Sequence, residues 1–277
     1  MTQVPTITLN NGVAMPQLGF GVFQVPDDGA QVAVEAALEC GYRSIDTAMI
    51  YGNETGVGRA LAASGVARDD LFITTKLWIS DFGPGKAEAA LDASLERLDL
   101  DYVDLYLIHW PAPATDDYLD TWAQFSELDT AKTRSVGVSN FLPEHLDRVV
   151  ALGGKVPAVN QIELHPAFQN RASVEADRRY GIATEAWSPL AQGRALTAPA
   201  VVEAAERHGV SPAQVVLRWH VQNGTIVIPK SVTPSRIASN FDLFGFELSA
   251  AEMDAVTALE ADGRIGMNPA TFNGKRS

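Results

Sequence analysis

One pattern repeats along this chain from end to end: a short apolar run, a turn, then a segment with helical periodicity. The runs QLGFGV, SIDTA, LFITTKLW, VDLYLIHW, SVGVSN, AVNQIEL, IATEAWS and TIVIPKS read as eight strands. Between them, segments such as AQVAVEAALEC, KAEAALDASLERL, PEHLDRVVAL and SPAQVVLRWHVQ read as amphipathic helices. Strand and helix in alternation, with no long linker, call for a parallel sheet covered by helices. Eight such units in 277 residues point to an α/β fold closed on itself, a (β/α)8 or TIM barrel, with 1–277 as one domain. A doubly wound sheet would carry G-x-G-x-x-G at a strand-to-helix turn; the nearest match, Gly19-Phe20-Gly21-Val22-Phe23-Gln24, lacks the third glycine. The opening TITLNNGVAM, with Asn-Gly between short apolar runs, predicts an N-terminal β-hairpin at the barrel floor. The closing ADGRIGMNPATFNGKRS has no period and predicts a C-terminal loop.

Composition narrows the partners. With 46% hydrophobic and 20% charged residues the chain can fill a sizeable core. A formal net charge of -13 disfavours nonspecific nucleic-acid binding, so an anionic ligand must meet a local basic patch. The single cysteine, Cys40, excludes an internal disulfide framework and a multi-cysteine zinc site, and suits a reducing compartment. The start, MTQVPTITLN, lacks the basic and then apolar pattern of a secretory signal. No apolar run approaches the roughly 18 residues of a membrane span. The expectation is a cytoplasmic protein with neither nucleic acid nor membrane as partner.

Within LFITTKLW, Lys76 is anomalous, because a charged amine in a buried strand is costly unless paired. Either the strand lies at an edge or the charge has a partner and a use. In a barrel, active sites collect at the C-terminal ends of the strands. Those ends carry Asp46 after the second strand, Lys76 in the third and His109 after the fourth, with Tyr51 in the loop five residues beyond Asp46. Asp46 is therefore a plausible partner for Lys76. An ammonium beside Tyr51 favours phenolate and is expected to lower the phenol pKa, tuning a general acid, while His109 offers a second hydrogen bond to a developing alkoxide. The four residues together make a carbonyl-polarising site. After the eighth strand, Thr233-Pro234-Ser235 reads as an N-cap with proline at the first helical position, and Arg236 lies in that first turn. A helix N-terminus with Lys230, Ser231 and Arg236 around it suits a phosphate.

Three segments carry a resemblance: GYRSIDTAMIYGNETGVG (Gly41 to Gly58), LIHWP (Leu107 to Pro111) and IPKSVTPSRIASN (Ile228 to Asn240). They resemble the signature segments of the aldo-keto reductases. The likeness runs from GFGVFQVP to GRIGMNP, through GVSNF and VNQIELHP, and is greatest to the bacterial branch with 2,5-diketo-gluconate reductases. The resemblance implies NADPH as cofactor and reduction of aldehydes and ketones, small dicarbonyls or keto sugar derivatives among them. It implies a catalytic tetrad of Asp46, Tyr51, Lys76 and His109, with Tyr51 protonating the carbonyl oxygen. It places Ser139, Asn140 and Gln161 against the cofactor carboxamide, Trp187 against the nicotinamide ring, and Ser188, Leu190 and Gln192 along the pyrophosphate. Lys230, Ser231 and Arg236 fall on the clamp for the 2'-phosphate, and Asn240 on the adenine. Gly21, Val22, Asp46 and Val232 complete the cofactor positions. Phe23, Tyr51, Trp78, His109 and Trp110 would wall the substrate pocket, with the tail around Met267 to Pro269 closing one side. A small-molecule carbonyl as partner, and a monomer, are likewise implied.

Each of these side chains also has a plainer reading. A strand lysine often snorkels to water, a lone histidine is often a hydrogen-bonded core residue, and tryptophan usually packs. Trp122 and Trp219 are read as helix packing, and His145, His208 and His220 as solvated or structural. His165 near Glu163 lacks H-x-H or H-E-x-x-H spacing and is read as packing, not as a metal ligand. Two other functions compete: a Schiff-base aldolase using Lys76 as nucleophile, and a non-catalytic barrel that binds NADPH as a sensor or subunit. Asp46 argues against the first by keeping Lys76 charged, and the intact tetrad argues against the second.

Overall fold

The computed structural model describes residues 4–274. Eight parallel strands form the wall in chain order: β3 (Phe20–Gly21), β4 (Ser44–Asp46), β5 (Phe72–Leu77), β6 (Val103–Ile108), β7 (Thr133–Ser139), β8 (Val159–Glu163), β9 (Ala183–Trp187) and β10 (Ile226–Val227). The wall closes where the Gly19 N–H donates to the Val227 carbonyl at 2.8 Å and the Val227 N–H donates to that of Gln17 at 3.0 Å. Leu18 bridges Val227 in parallel at the same seam. The eight-strand barrel expected from the alternation is the observed fold.

Every residue of β5 and β6 is buried, because one face looks into the barrel and the other meets helices. Along β6 the period of two divides the work. Tyr106 and Ile108 pack outward, Tyr106 stacking on Phe125 at 4.8 Å, while Leu105 and Leu107 fill the interior. That interior is sealed from below by β1 (Thr6–Thr8) and β2 (Ala14–Pro16), an antiparallel hairpin. Leu9 and Met15 of this hairpin pack with Phe72, Leu107, Val159 and Ile226, so it plugs the floor as expected.

Helices α1 (Asp27–Cys40), α2 (Glu54–Ala63), α3 (Lys86–Leu98), α4 (Asp117–Glu127), α5 (Pro143–Ala151) and α6 (Arg171–Tyr180) follow β3 to β8 one by one. The next connection departs from the simple unit. It carries two helices, α7 (Pro199–His208) and α8 (Pro212–Gln222), each opened by proline. Ser211 and Gln214 make a capping box that starts α8. Helix α8 packs on β10, and α7 lies outside it, against α10 (Ala250–Thr257). Helix α9 (Pro234–Phe241) follows β10, and residues 259–274 run on without helix or strand, as the missing periodicity implied.

Helix α2 matters for the site because it fixes the loop that bears Tyr51. At Gly56 a Cβ atom would come within 2.1 Å of the Asp27 carbonyl oxygen, so only glycine allows this contact with α1. The Gly56 N–H donates to Asp27 Oδ1 at 2.6 Å, tying the two helix starts together.

Candidate active site

Lys76 lies on β5 between β4 and β6, so it is not an edge residue. Its side chain is 0% exposed. Its Nζ donates to Asp46 Oδ1 at 2.6 Å and to the Thr47 carbonyl at 2.7 Å. The partner expected from the sequence is therefore present. Burial pulls the Lys76 pKa down, but the charge of Asp46, the charge Tyr51 would carry once ionised and the hydrogen bond to Asp46 outweigh it, leaving it above its ordinary value. The amine stays an ammonium, and a nucleophilic Schiff-base role has no support.

Tyr51 ends a single 3-10 turn, Met49–Tyr51, that follows β4. Its ring centre is 5.1 Å from Lys76 Nζ, 5.6 Å from the His109 ring and 5.0 Å from that of Phe23. The expectation that Lys76 brings the phenol below its usual pKa is corrected here. Burial raises it by more than the Lys76 charge lowers it, and the Tyr51 phenol is pushed up to about 12. Tyr51 is thus held protonated at neutral pH, which a proton donor requires.

His109, just beyond β6, is held by its N–H donating to the Leu77 carbonyl at 3.1 Å. Burial first, and then the Lys76 charge, keep its pKa well below the usual imidazole range. The ring is therefore neutral and serves as a hydrogen-bonding group, not as a cation.

The residues assigned to the carboxamide meet in one network behind the tetrad. Ser139 Oγ donates to the Gln161 carbonyl at 2.8 Å, and Asn140 Nδ2 donates to Ser139 Oγ and to the His109 carbonyl, both at 3.0 Å. Trp187 Nε1 donates to Asn140 Oδ1 at 2.9 Å, orienting the indole at the end of β9. Gln161 Nε2 reaches Asp46 Oδ2 at 2.8 Å, joining this network to the tetrad.

Backbone strain gathers along the positions assigned to the cofactor. Asn140, Ser188 and Gln192 have φ of 64°, 49° and 54°, a left-handed region that non-glycine residues seldom adopt. Leu190 is half-buried in the same loop. His220 on α8 supports it from behind, its Nε2 donating to the Pro189 carbonyl at 3.2 Å. Burial holds that imidazole neutral, with a pKa near 3 despite the opposing hydrogen bond to Pro189. Gly21 and Val22 are buried, and the Val22 carbonyl is occupied by Asn53 Nδ2 at 3.0 Å.

At the start of α9, Lys230, Val232 and Arg236 are exposed while Ser231 and Asn240 are buried. Neither Lys230 nor Arg236 has an ion-pair partner among the described residues. Thr233 caps α9 without a side-chain hydrogen bond. Two free cations beside an uncapped helix start suit a phosphate in an otherwise acidic protein.

Trp78 and Trp110, the aromatics expected to wall the pocket, share one partner the sequence reading missed. Phe272 from the tail packs on Trp110 at 4.5 Å and on Trp78 at 6.3 Å between ring centres. Glu163, buried at the end of β8, was also missed as a site residue. Its two oxygens accept from the N–H groups of Ile265 at 2.6 Å and Gly266 at 2.8 Å, and His165 Nε2 lies 3.1 Å from Oε1. A Cβ on Gly266 would fall 2.3 Å from the Trp187 ring, so the tail presses directly on that indole. Met267 itself is exposed, and the tail is anchored on either side of it, at Ile265 and Gly266 before and at Phe272 after. The signal for Glu163 was present: a carboxylate at a barrel strand end, the same feature that singled out Asp46.

Residues 16–261 match the profile described as Aldo/keto reductase family. An aldo-keto reductase of Mycolicibacterium smegmatis is 54% identical, over 97% of this chain and 98% of its own. The methylglyoxal reductase DkgA of Yersinia pestis is 50% identical over the full length of both chains. Among solved structures, a mutant of Gox0644 in complex with NADPH superposes with a TM-score of 0.93 at 45% identity, covering 98% of this chain and 99% of its own. The chain belongs to the aldo/keto reductase family and is an NADP-dependent oxidoreductase acting on carbonyl groups.

Proposed function

We propose that this chain reduces small dicarbonyls or keto sugar derivatives to alcohols with NADPH, Tyr51 acting as the proton donor. The observation that carries the reading is the buried Lys76 ammonium, fixed by Asp46 at 2.6 Å and lying 5.1 Å from the Tyr51 ring beside a neutral His109. NADPH, when bound, supplies the hydride. A phenol with a pKa of about 12 gives its proton to an alkoxide, a far stronger base, while remaining fully protonated before reaction. The Lys76 charge stabilises the phenolate left behind, and His109 orients the oxygen being protonated. Asp46 keeps Lys76 in place and charged.

The cofactor fits residues that are otherwise hard to explain. Ser139, Asn140 and Gln161 would hold the carboxamide, Trp187 the ring, and Ser188, Leu190 and Gln192 the pyrophosphate, with Gly21 and Val22 alongside. Lys230, Ser231, Val232 and Arg236 would take the 2'-phosphate, and Asn240 the adenine. Two unpaired cations beside α9 favour NADPH over NADH. Phe23, Trp78 and Trp110 offer an aromatic mouth for a compact carbonyl. A 50%-identical relative bears the name methylglyoxal reductase, which supports a dicarbonyl as substrate. The reading extends to a monomeric, cytoplasmic enzyme with 1–277 as one catalytic domain. The lone cysteine supports the compartment, and no helix among the described residues is long and apolar enough to cross a membrane.

The test is NADPH oxidation followed by absorbance with methylglyoxal and a diketo sugar acid, wild type beside Tyr51→Phe. Turnover that collapses in the variant supports both substrate class and donor. NADPH binding without turnover on any carbonyl overturns the reading in favour of a sensor or subunit.

A further inference from the structure

We propose that Glu185 is a positioning residue of the reduction: with Asp46 it locks the side-chain amide of Gln161 so that the oxygen, and not the nitrogen, faces the nicotinamide carboxamide. The inference rests on the placement of Gln161 against that carboxamide. Gln161 Nε2 donates to Asp46 Oδ2 and to Glu185 Oε2, each at 2.8 Å. An amide nitrogen has two hydrogens, and both are used. Turning the amide over would set its oxygen against two carboxyl groups, so the orientation is fixed, and Oε1 has no hydrogen-bond donor among the described residues. An acceptor in that position fits the NH2 of the carboxamide.

Glu185 has no evident purpose apart from this. It lies on β9, faces the barrel interior and is 0% exposed. Among the described residues its only hydrogen bond is the one from Gln161, and its Oε1 is an orphan. Threonine or leucine would fill the space without burying a carboxyl. Burial first, and then the Asp46 charge, raise the Glu185 pKa well above the carboxylate range, against the opposing pull of Gln161 and Lys76. One acceptor in Asp46 would leave the second amide hydrogen unmatched; Glu185 supplies the other.

The test reads cofactor affinity with no carbonyl present, by quenching of tryptophan fluorescence, with NADPH and with its acetylpyridine analogue, which has a methyl group in place of the NH2. Glu185→Leu should weaken NADPH about five- to tenfold and shrink the preference for NADPH over the analogue toward one. Glu185→Gln, which keeps an acceptor, should stay within about twofold of wild type on both counts. In a Gln161→Leu background, Glu185→Leu should add nothing. A folded Glu185→Leu with wild-type affinity and preference overturns the proposal, as does an equal further loss on top of Gln161→Leu. If Glu185→Leu does not fold, Glu185→Gln decides alone: a loss as large as that of Gln161→Leu overturns it. Gln161→Leu with unchanged affinity overturns the proposal together with the placement of Gln161 on which it rests, whereas an error in substrate class leaves these binding measurements untouched.

Discussion

Lys76 Nζ stands 5.1 Å from the centre of the Tyr51 ring while donating to Asp46 and Thr47, so it acts on the phenol as a charge held in place. Removing the phenol oxygen removes the proton donor and little else. Tyr51→Phe should lower kcat by about 10²–10⁴-fold, the usual range for general acid catalysis. NADPH affinity, read by fluorescence titration, should be unchanged, and wild-type turnover in the variant would show that another group protonates the product.

Lys76→Met has a second effect, because it strands Asp46 as an unpaired buried carboxylate, a loss of about 3–5 kcal/mol. Denaturant titration should show that loss, and Asp46→Asn with Lys76→Met should recover most of it. The double variant should nevertheless stay as inactive as the single one. Restored activity along with restored stability would reduce Lys76 to a structural role.

The pH dependence follows from the raised phenol. Reduction needs Tyr51 protonated, a state present at every pH below about 12, so its kcat should be flat from neutral into the alkaline range. Alcohol oxidation needs the phenolate and should climb about tenfold per pH unit over the same interval. His109, held neutral, should add no limb between about pH 6 and 8. A plateau in the oxidation profile near neutral pH would place the tyrosine pKa far lower than the fold dictates.

Asp177 offers a stability test away from the chemistry. Burial pushes its carboxyl up to about 8 from an ordinary 3.8, despite hydrogen bonds from Asn160 and Thr184. The folded pKa is the higher one, so the contribution to stability is complete at acid pH and lost as pH rises through about 8. Asp177→Asn should therefore flatten the fall of unfolding free energy between roughly pH 4 and 8, as followed by urea titration. An unchanged slope would mean that Asp177 titrates normally.

Glu163→Ala removes the acceptor for two tail N–H groups, an expected local cost of about 1–3 kcal/mol. Amide exchange at Ile265 and Gly266 should accelerate, and substrate KM should rise several-fold more than kcat falls, because Phe272 loses its fixed place against Trp110. Arg236→Ala should weaken NADPH about tenfold or more and leave NADH nearly unaffected, as isothermal titration can compare. Equal losses would move the 2'-phosphate elsewhere.

The barrel was legible because its strands are buried on both faces and read as nearly continuous apolar runs, against which Lys76 stood out. Asp46, Tyr51 and His109 were legible for the related reason that polar groups at strand ends have few other purposes. The direction of the Tyr51 shift was not, because it depends on how much water the finished fold excludes, which one neighbouring charge does not reveal. Glu163, weighed only beside His165, and Glu185 were not read as site residues in VNQIELHP and IATEAWS because their partners, the tail and Gln161, lie on other elements. Phe272 sits in an aperiodic tail where no pattern predicts contact with Trp110. The extra helix α7 escaped because it packs on other helices and leaves the strand count intact.

The seam between β3 and β10 bears on how this chain reaches its folded state. Gln17 Nε2 donates to the Val221 carbonyl at 2.8 Å and to that of Thr225 at 3.3 Å, contacts that span 204 and 208 residues of chain. Until the last strand has been synthesised, the growing sheet has an unpaired edge, and its floor plug has only part of a cavity to fill. Closure is thus a late, high-contact-order event, and the interval before it is the one in which strand edges can pair with other chains. Substitutions at Gln17 should accordingly lower the yield of soluble protein from a cell more than they lower the stability of the molecules that do fold.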